Sequence, residues 1–511
     1  MEMRQMKESI PMEQQVASGC SQAVVEGEIT LPGGLREEAR VLHAGGMAVI
    51  SSVETMQDRA AISGKVVFRT LYTQGDPEKV QAIEATAEFT HMMDLPGTQP
   101  RMLCQAEVWV EHVDAHAANG RLSQRAVVRV CARVLSPQPV ETLTGIKGVA
   151  GLELCTRQLT LCRTVAAGDE ETLLREEFAL PQGLQVRETL CADAAVQVEE
   201  VTGGVGRAGV RGTVQLEVYH ASELPGKPLV VTRHVIPFSQ TVELSGEDGE
   251  MLHAQALVKD VAVASQENAE GERTLRAEVL LGLQASAHRQ EQVTLLQDAY
   301  TTQGDALQFQ KQTVRVRQGD AAGQSAESGK AMLMLPEGSP AVRTVLCAFA
   351  TPILTSREQI GGRLNAEGML EITLLYMTDD SAVPVAVYQE EPFRVTFAVK
   401  TEPDDFLHIQ AAEIDASAIT SDRVEMKYIM RLTISGTRTT QAELVTDVET
   451  TPVEEPDAAM ILCFAQQGET LWDIARRYRM PMAFIKELNP ELAAEPRPGQ
   501  GVVVWHRRVE E

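Results

Sequence analysis

A register of three copies, spaced by about 150 residues, constrains the fold of this 511-residue chain more than any other feature. The dipeptide Leu-Pro recurs as Leu31-Pro32, Leu180-Pro181 and Leu335-Pro336, at offsets of 149 and 155. Phe89, Phe238 and Phe393 keep the same two offsets, as do Leu103, Leu252 and Leu407. Three anchors in one register imply three copies of one structural unit. Length agrees, because 511 residues exceed what a single hydrophobic core supports.

Between the anchors lie GKVVFRTLY (Gly64–Tyr72), GTVQLEVY (Gly212–Tyr219) and GMLEITLLY (Gly368–Tyr376). Each is a β-branched and aromatic run of period two opened by glycine, so they read as one strand seen three times. The tyrosines are spaced 147 and 157, a two-residue shift of the middle copy that a loop can absorb. Segments such as Ala106–Ala115 and Ala254–Ser265 alternate apolar and polar residues as half-buried antiparallel strands do. Helical periodicity is scarce before residue 460. The expected fold is therefore mainly β, with three tandem sandwich-like units over 1–150, 151–305 and 306–449. A Pro- and Glu-rich linker over 450–460 and a separate module over 461–511 follow.

A weaker repetition, Leu then Cys or His then a third residue, occurs twice in each unit, at Leu42-His43, Leu103-Cys104, Leu190-Cys191, Leu252-His253, Leu346-Cys347 and Leu407-His408. It suggests that each unit is a duplicated half. Thiolate and imidazole are preferred zinc ligands, but ligands must converge on one ion, and equivalent positions of separate repeats lie apart unless the units wrap a common axis. The reading preferred here is a semi-buried strand position, with no metal and no cofactor. The eight cysteines form no CxxC pair and no disulfide-dense spacing, so reduced thiols are expected.

The formal charge of −26 disfavours nucleic acid and anionic membrane surfaces as partners. All of the excess lies upstream of residue 461, since 461–511 holds seven basic and seven acidic residues. The first residues, MEMRQMKESIPMEQQ, lack the apolar run of a secretory signal, and no stretch approaches the ~20 apolar residues of a membrane span. A cytoplasmic protein without direct membrane insertion is expected. The chain contains no GxSxG elbow, HExxH, P-loop or strand-to-helix GxGxxG, and no catalytic residue is assigned. Cys104 with His112 or His116 could imitate a nucleophile pair, yet a lone cysteine on an alternating strand is more often core.

From Ile461 the pattern changes to strand, helix, helix, strand. Thr470 and Asp473 form a capping box before Leu471, Ile474, Ala475 and Tyr478, which share one helical face. Pro481 suits a first helical turn, Phe484, Ile485 and Leu488 supply a second apolar face, and Asn489-Pro490 is an αL-tolerant stop. Pro498-Gly499-Gln500 then turns the chain into GVVVW, completing a βααβ unit.

The sequence Gly468-Glu469-Thr470-Leu471-Trp472, then Ile474-Ala475, Tyr478, Asn489-Pro490 and Pro498-Gly499-Gln500, resembles the LysM family over about 45 residues. It departs at Glu469, where an aspartate is usual, and in the strand Cys463-Phe464-Ala465. The resemblance implies a shallow groove for N-acetylglucosamine-containing chains, with Gly468, Glu469, Thr470 and Leu471 on one side and Asn489, Pro490, Glu491 and Leu492 on the other. Thr470 is also explained as a cap and Leu471 as core.

A LysM unit after three β-rich repeats resembles the SipL-type proteins of spore-forming Firmicutes, whose upstream repeats are SPOCS domains. That resemblance implies a non-enzymatic scaffold in the mother-cell cytoplasm, at the forespore surface, for spore coat or envelope assembly. Its LysM unit would engage the coat morphogenetic ATPase, a protein partner, or a glycan. Two rival readings are a peptidoglycan-binding wall protein, including a wall hydrolase, and a phage-tail baseplate component that joins β-rich bodies to a LysM unit.

Overall fold

A computed structural model describes residues 3–32, 38–137, 139–267, 272–453, 460–493 and 495–505. The first stretch of chain forms β1 (Arg4–Pro11), β2 (Gln14–Thr30), β3 (Ala39–Met56), β4 (Arg59–Gln74), β5 (Asp76–Asp94), β6 (Leu103–Ala118), β7 (Arg121–Ser136) and β8 (Pro139–Lys147). The second forms β9 (Leu152–Ala179), β10 (Val186–Gly204), β11 (Arg207–Ser222), β12 (Leu229–Glu243), β13 (Ser245–Gly246), β14 (Met251–Glu267) and β15 (Arg273–Thr301). The third forms β16 (Ala306–Met334), β17 (Thr344–Ile360), β18 (Arg363–Met377), β19 (Val385–Phe397), β20 (Phe406–Thr420) and β21 (Arg423–Thr451). The C-terminal module is β22 (Met460–Phe464), α1 (Leu471–Arg477), α2 (Met482–Leu488) and β23 (Gly501–Trp505). The protein is mainly β, and its two α-helices lie at the C-terminal end among the described residues.

The three glycine-opened runs fall on β4, β11 and β18, each the central strand of a three-stranded antiparallel sheet, β3-β4-β5, β10-β11-β12 and β17-β18-β19. Each such sheet packs against a second one across a core of alternating apolar residues, as the period-two pattern requires. The register also explains two anchors at once. Gly64 pairs with Phe89, Gly212 with Phe238 and Gly368 with Phe393. A Cβ at these glycines would stand 2.9, 2.9 and 2.8 Å from the phenylalanine ring and would also collide with the carbonyls of Val49, Gln197 and Ile353. On its other side each glycine faces a residue where the neighbouring strand bulges, Ile50, Val198 or Leu354. Glycine and phenylalanine therefore recur together because the ring lies over the space a side chain would fill.

The duplicated-half reading meets a difference. Leu42, Leu190 and Leu346 are the extra residues of a second set of bulges, whereas Leu103, Leu252 and Leu407 lie on strands that run straight at that point. The likeness of the two halves is one of letters, and their backbones differ.

The three stretches interlock. β9, β15, β16 and β21 run for 28 or 29 residues, past their sandwiches and into a shared stem. Ile10, Leu159 and Val314 meet there in one core, together with Met12, Leu161 and Val316. Both triples keep the offsets 149 and 155. Beyond them Leu143, Leu296 and Val445 form a further layer with Ile146, Ala299 and Val448. At the other end Leu42, Cys191 and Cys347 share a core with Tyr219 and Phe349. The units wrap a common axis, so equivalent residues of separate repeats converge after all. Among the described residues, no group of three or more His, Cys, Asp or Glu stands where it could hold a metal ion.

At the next axial position the apolar rule is broken. Glu13, Cys162 and Arg317, again 149 and 155 apart, are all buried, at 6%, 1% and 1% exposure. Arg317 is ion-paired to Glu13 and Asp320. It also donates to Thr164 Oγ1 (2.8 Å) and His288 Nδ1 (3.1 Å). Burial first, and then the Arg317 charge, lowers the His288 pKa to about 4, which keeps the ring neutral and able to accept. The backbone hydrogen bond from Arg317 N–H to Glu13 C=O (2.9 Å) and the adjoining Val316–Gln14 bridge between β16 and β2 join the first and third stretches beside this cluster.

Two expectations are corrected. Cys20 and Cys131 form a disulfide, so the thiols are not all reduced. The residues lie 111 apart in sequence but directly opposite in the β2–β7 ladder, a proximity that spacing cannot reveal. The other six cysteines are free. Thr450 and Thr451, assigned above to the linker, end β21 by pairing with Leu307 and Ala306. Residues 454–459 of that linker lie outside the described residues.

Candidate functional site

The C-terminal module packs α1 and α2 on one face of the β22–β23 pair around Leu471, Ile474, Ala475, Ile485, Val502 and Val504. Thr470 caps α1, with both arms of the box to Asp473 formed. Two expected helix ends differ. Pro481 is the cap of α2 rather than a residue of its first turn, with ψ 132°. Asn489 ends α2 through its side chain and not through a left-handed backbone, its φ being −135°.

The eight residues expected to form the groove divide into those with committed side chains and those left exposed. Leu471 is core, at 1% exposure. Glu469 is buried, pairs with Arg477 and accepts from the Gln466 N–H (3.0 Å). Thr470 is spent on its cap. The Asn489 amide clamps β23, accepting from Val503 N–H and donating to the Val503 and Ile485 carbonyls, each at 2.9 Å. Leu492 is half-buried and packs on the module's core. Gly468, Pro490 and Glu491 are left exposed, with Gly468 at φ 77°. What these residues leave accessible is main chain and loop tips, while the Glu469 and Asn489 side chains are committed within the module. On β22, Leu462 and Phe464 are 58% and 62% exposed.

A second surface of the module is already occupied. Asp298, near the end of β15, accepts from Trp472 Nε1 (2.9 Å) and Arg476 Nη1 (2.6 Å). Tyr300 stands edge-on to the Trp472 ring, 4.9 Å between centroids, and its hydroxyl donates to the Met480 carbonyl (2.6 Å). Arg479 reaches the Thr301 carbonyl and hydroxyl, both at 2.9 Å, and the Gly304 carbonyl. Sequence reasoning missed this dock, although a signal existed. Ile146, Ala299 and Val448 are equivalent on the axis, and their flanking residues are Gly145 and Lys147, Asp298 and Tyr300, and Asp447 and Glu449. The middle copy alone offers both a carboxylate and a ring. Asp447 is engaged by Gln5 and Lys7.

The imitation nucleophile pair is not assembled. His112 bonds Glu371 Oε2 (2.6 Å) and Asp114 Oδ1 (3.0 Å). Burial pushes the Cys104 thiol up to about 11, leaving it protonated at neutral pH.

Among family models, that described as SipL, SPOCS domain matches residues 39–118, which run from the start of β3 to the end of β6. That of the LysM domain matches residues 465–505. Both are non-catalytic binding modules. No curated protein and no solved structure matches the chain. No helix is long and apolar enough to cross a membrane among the described residues. The chain has the domain pair of a SipL-type protein, a SPOCS domain and a C-terminal LysM domain.

Proposed function

We propose that this protein is a non-enzymatic scaffold of spore coat or envelope assembly. In this reading it acts in the mother-cell cytoplasm, at the forespore surface, and its LysM module docks a protein partner, the coat morphogenetic ATPase. The observation that carries the reading is the pairing of a SPOCS domain with a LysM module whose groove loops face outward. An interlocked β body fixed to that module suits a protein that holds a partner in place. A glycan is the second reading, and it draws on the same exposed main chain at Gly468 and Pro490, which could pair with acetamido groups.

The test uses the full-length chain as bait in sporulating mother-cell lysate, beside titration with N-acetylglucosamine oligomers. A Glu491→Arg variant with the fold intact serves as the groove control. Enrichment of the ATPase that Glu491→Arg abolishes, without sugar binding, is the expected result. Saturable sugar binding with no coat protein captured would replace the scaffold by a wall-directed protein.

A further inference from the structure

We infer that the Cys20–Cys131 disulfide is a redox switch, which opens and re-forms in the folded protein and whose state sets how firmly the first sandwich is held together. This inference is independent of the LysM reading. The bond stands apart from the apolar cores. On β7, Val130 and Ala132 face the core of the first sandwich, whereas Arg129, Cys131 and Arg133 line a chamber of about 2040 Å³ to which all three stretches contribute. Ser18 and Cys20 of β2 line the same chamber, so both sulfurs lie on one polar face of the sheet.

The two sulfurs differ in access, Cys20 being exposed and Cys131 1% exposed. An incoming thiolate therefore meets Cys20 Sγ, and Cys131 is the leaving group. With a dithiol as the reductant the step balances. Its first thiolate bonds to Cys20 Sγ, the S–S bond breaks with its electron pair on Cys131 Sγ, and that sulfur takes up a proton. The second thiol of the reductant then displaces Cys20 from the mixed disulfide. Two electrons and two protons have passed to the protein, and the reductant is left as a disulfide.

The sheet keeps the opened pair ready to close. Gly19 pairs with Ala132 and Ser21 with Val130, on either side of the two cysteines, in a ladder that runs from Gln14 and Ser136 to Thr30 and Arg121. The thiols thus stay opposite one another after reduction, and re-pairing proceeds at the high effective concentration of an intramolecular reaction. Cys104, on the neighbouring β6, does not compete, because it packs against the core of the sandwich and burial keeps its thiol protonated. What the bond encloses gives the switch its effect. Strands β3, β4, β5 and β6, and with them the whole segment 39–118 matched as a SPOCS domain, lie between the two cysteines, which are 111 residues apart. A cross-link across a loop of that length restricts the unfolded chain and shifts the unfolding equilibrium by about 30- to 1,000-fold.

The experiment treats the full-length chain with millimolar dithiothreitol in the absence of denaturant, removes the reductant, and then adds oxidised glutathione. Differential alkylation read by peptide mass spectrometry follows Cys20 and Cys131 at each stage. Both thiols are expected to appear together while the circular dichroism is unchanged, and oxidised glutathione is expected to restore the bond. The order of attack has its own readout. Cys131→Ser leaves Cys20 to collect glutathione as a mixed disulfide, and Cys20→Ser leaves Cys131 unmodified; the unsubstituted chain carries the test alone if a variant does not fold. In urea, the reduced chain should unfold with an equilibrium constant larger than that of the oxidised chain by the factor given above. A bond that opens only once the chain is unfolded, or thiols that do not re-pair, would overturn the inference. So would glutathione on Cys131 in place of Cys20, or equal urea unfolding of the two states.

Discussion

Replacing Arg317 by methionine removes the one cation from a buried cluster in which Glu13 is 6% and Arg317 1% exposed. The loss leaves Glu13, and to a lesser extent Asp320, as carboxylates without their partner. Stranding one member of a buried pair costs about 3–5 kcal/mol, because the remaining charge keeps its desolvation penalty and loses its compensation. Arg317 sits where the three stretches of chain meet, so the cost falls on the whole body. With unfolding entropy of ~2.1 cal/mol/K per residue over about 450 interlocked residues, each 1 kcal/mol lowers the melting temperature by about 1 °C. A drop of about 3–5 °C is expected, with a single transition retained. In the double variant Glu13→Leu/Arg317→Met, apolar side chains replace the linked charges at the layer next to Met12, Leu161 and Val316, and about half of the loss or more should return. Scanning calorimetry of the three proteins is the assay. A shift below about 1 °C for Arg317→Met, or several separate endotherms for the unsubstituted chain, would refute the shared axis and the reasoning built on it.

Further expectations test other parts of the molecule. Gly212→Ala puts a methyl group into the Phe238 ring and the Gln197 carbonyl, and should cost about 1–3 kcal/mol by denaturant unfolding; a neutral outcome would remove the explanation of the glycine–phenylalanine register. Asp298→Ala leaves the Trp472 indole and Arg476 without their acceptor, and amide exchange across 471–480 should quicken by about tenfold while the groove loops stay folded; unchanged exchange would mean that the dock does not hold the module. His288 has a folded pKa near 4 against an ordinary 6.5, so its contribution is complete above about pH 6.5 and is lost as pH falls through 4, roughly 3 kcal/mol in all. His288→Gln should flatten that part of the stability–pH curve, and an unaltered acid slope would contradict it. Thiol counting under denaturing, non-reducing conditions should find six free groups when Cys20 and Cys131 are joined and eight after reduction; eight from the outset would return the chain to the all-thiol state expected of a reducing compartment.

Much of the fold is legible in the sequence because it is local. Period-two runs place the strands, and Thr470, Asp473 and the apolar spacing after them place α1 before any contact is known. The glycine and phenylalanine anchors can be found by their spacing, but their cause cannot, since Gly64 and Phe89 meet only through cross-strand register. What the letters do not carry is which faces of the units come together. A buried Arg317 and an exposed arginine are the same symbol, and only the equivalence of Glu13, Cys162 and Arg317 on one axis distinguishes them. The groove behaves likewise. Glu469 and Asn489 stand in a ligand-contacting pattern, yet their side chains are committed to Arg477 and to β23.

The departures from repetition are where this body is specialised. At most axial layers the three copies supply similar apolar residues, which is what a shared core needs. Two layers break that likeness, and they do so differently. At Glu13, Cys162 and Arg317 the copies become unlike one another, and the acid of the first pairs with the base of the third. At Asp298 and Tyr300 one copy alone acquires the groups that receive Trp472, Arg476 and Met480. A body of three interchangeable units would offer three equal seats and hold one module at random. Unequal ends give that module one seat, so the loops that carry Gly468 and Glu491 keep one direction relative to the stem.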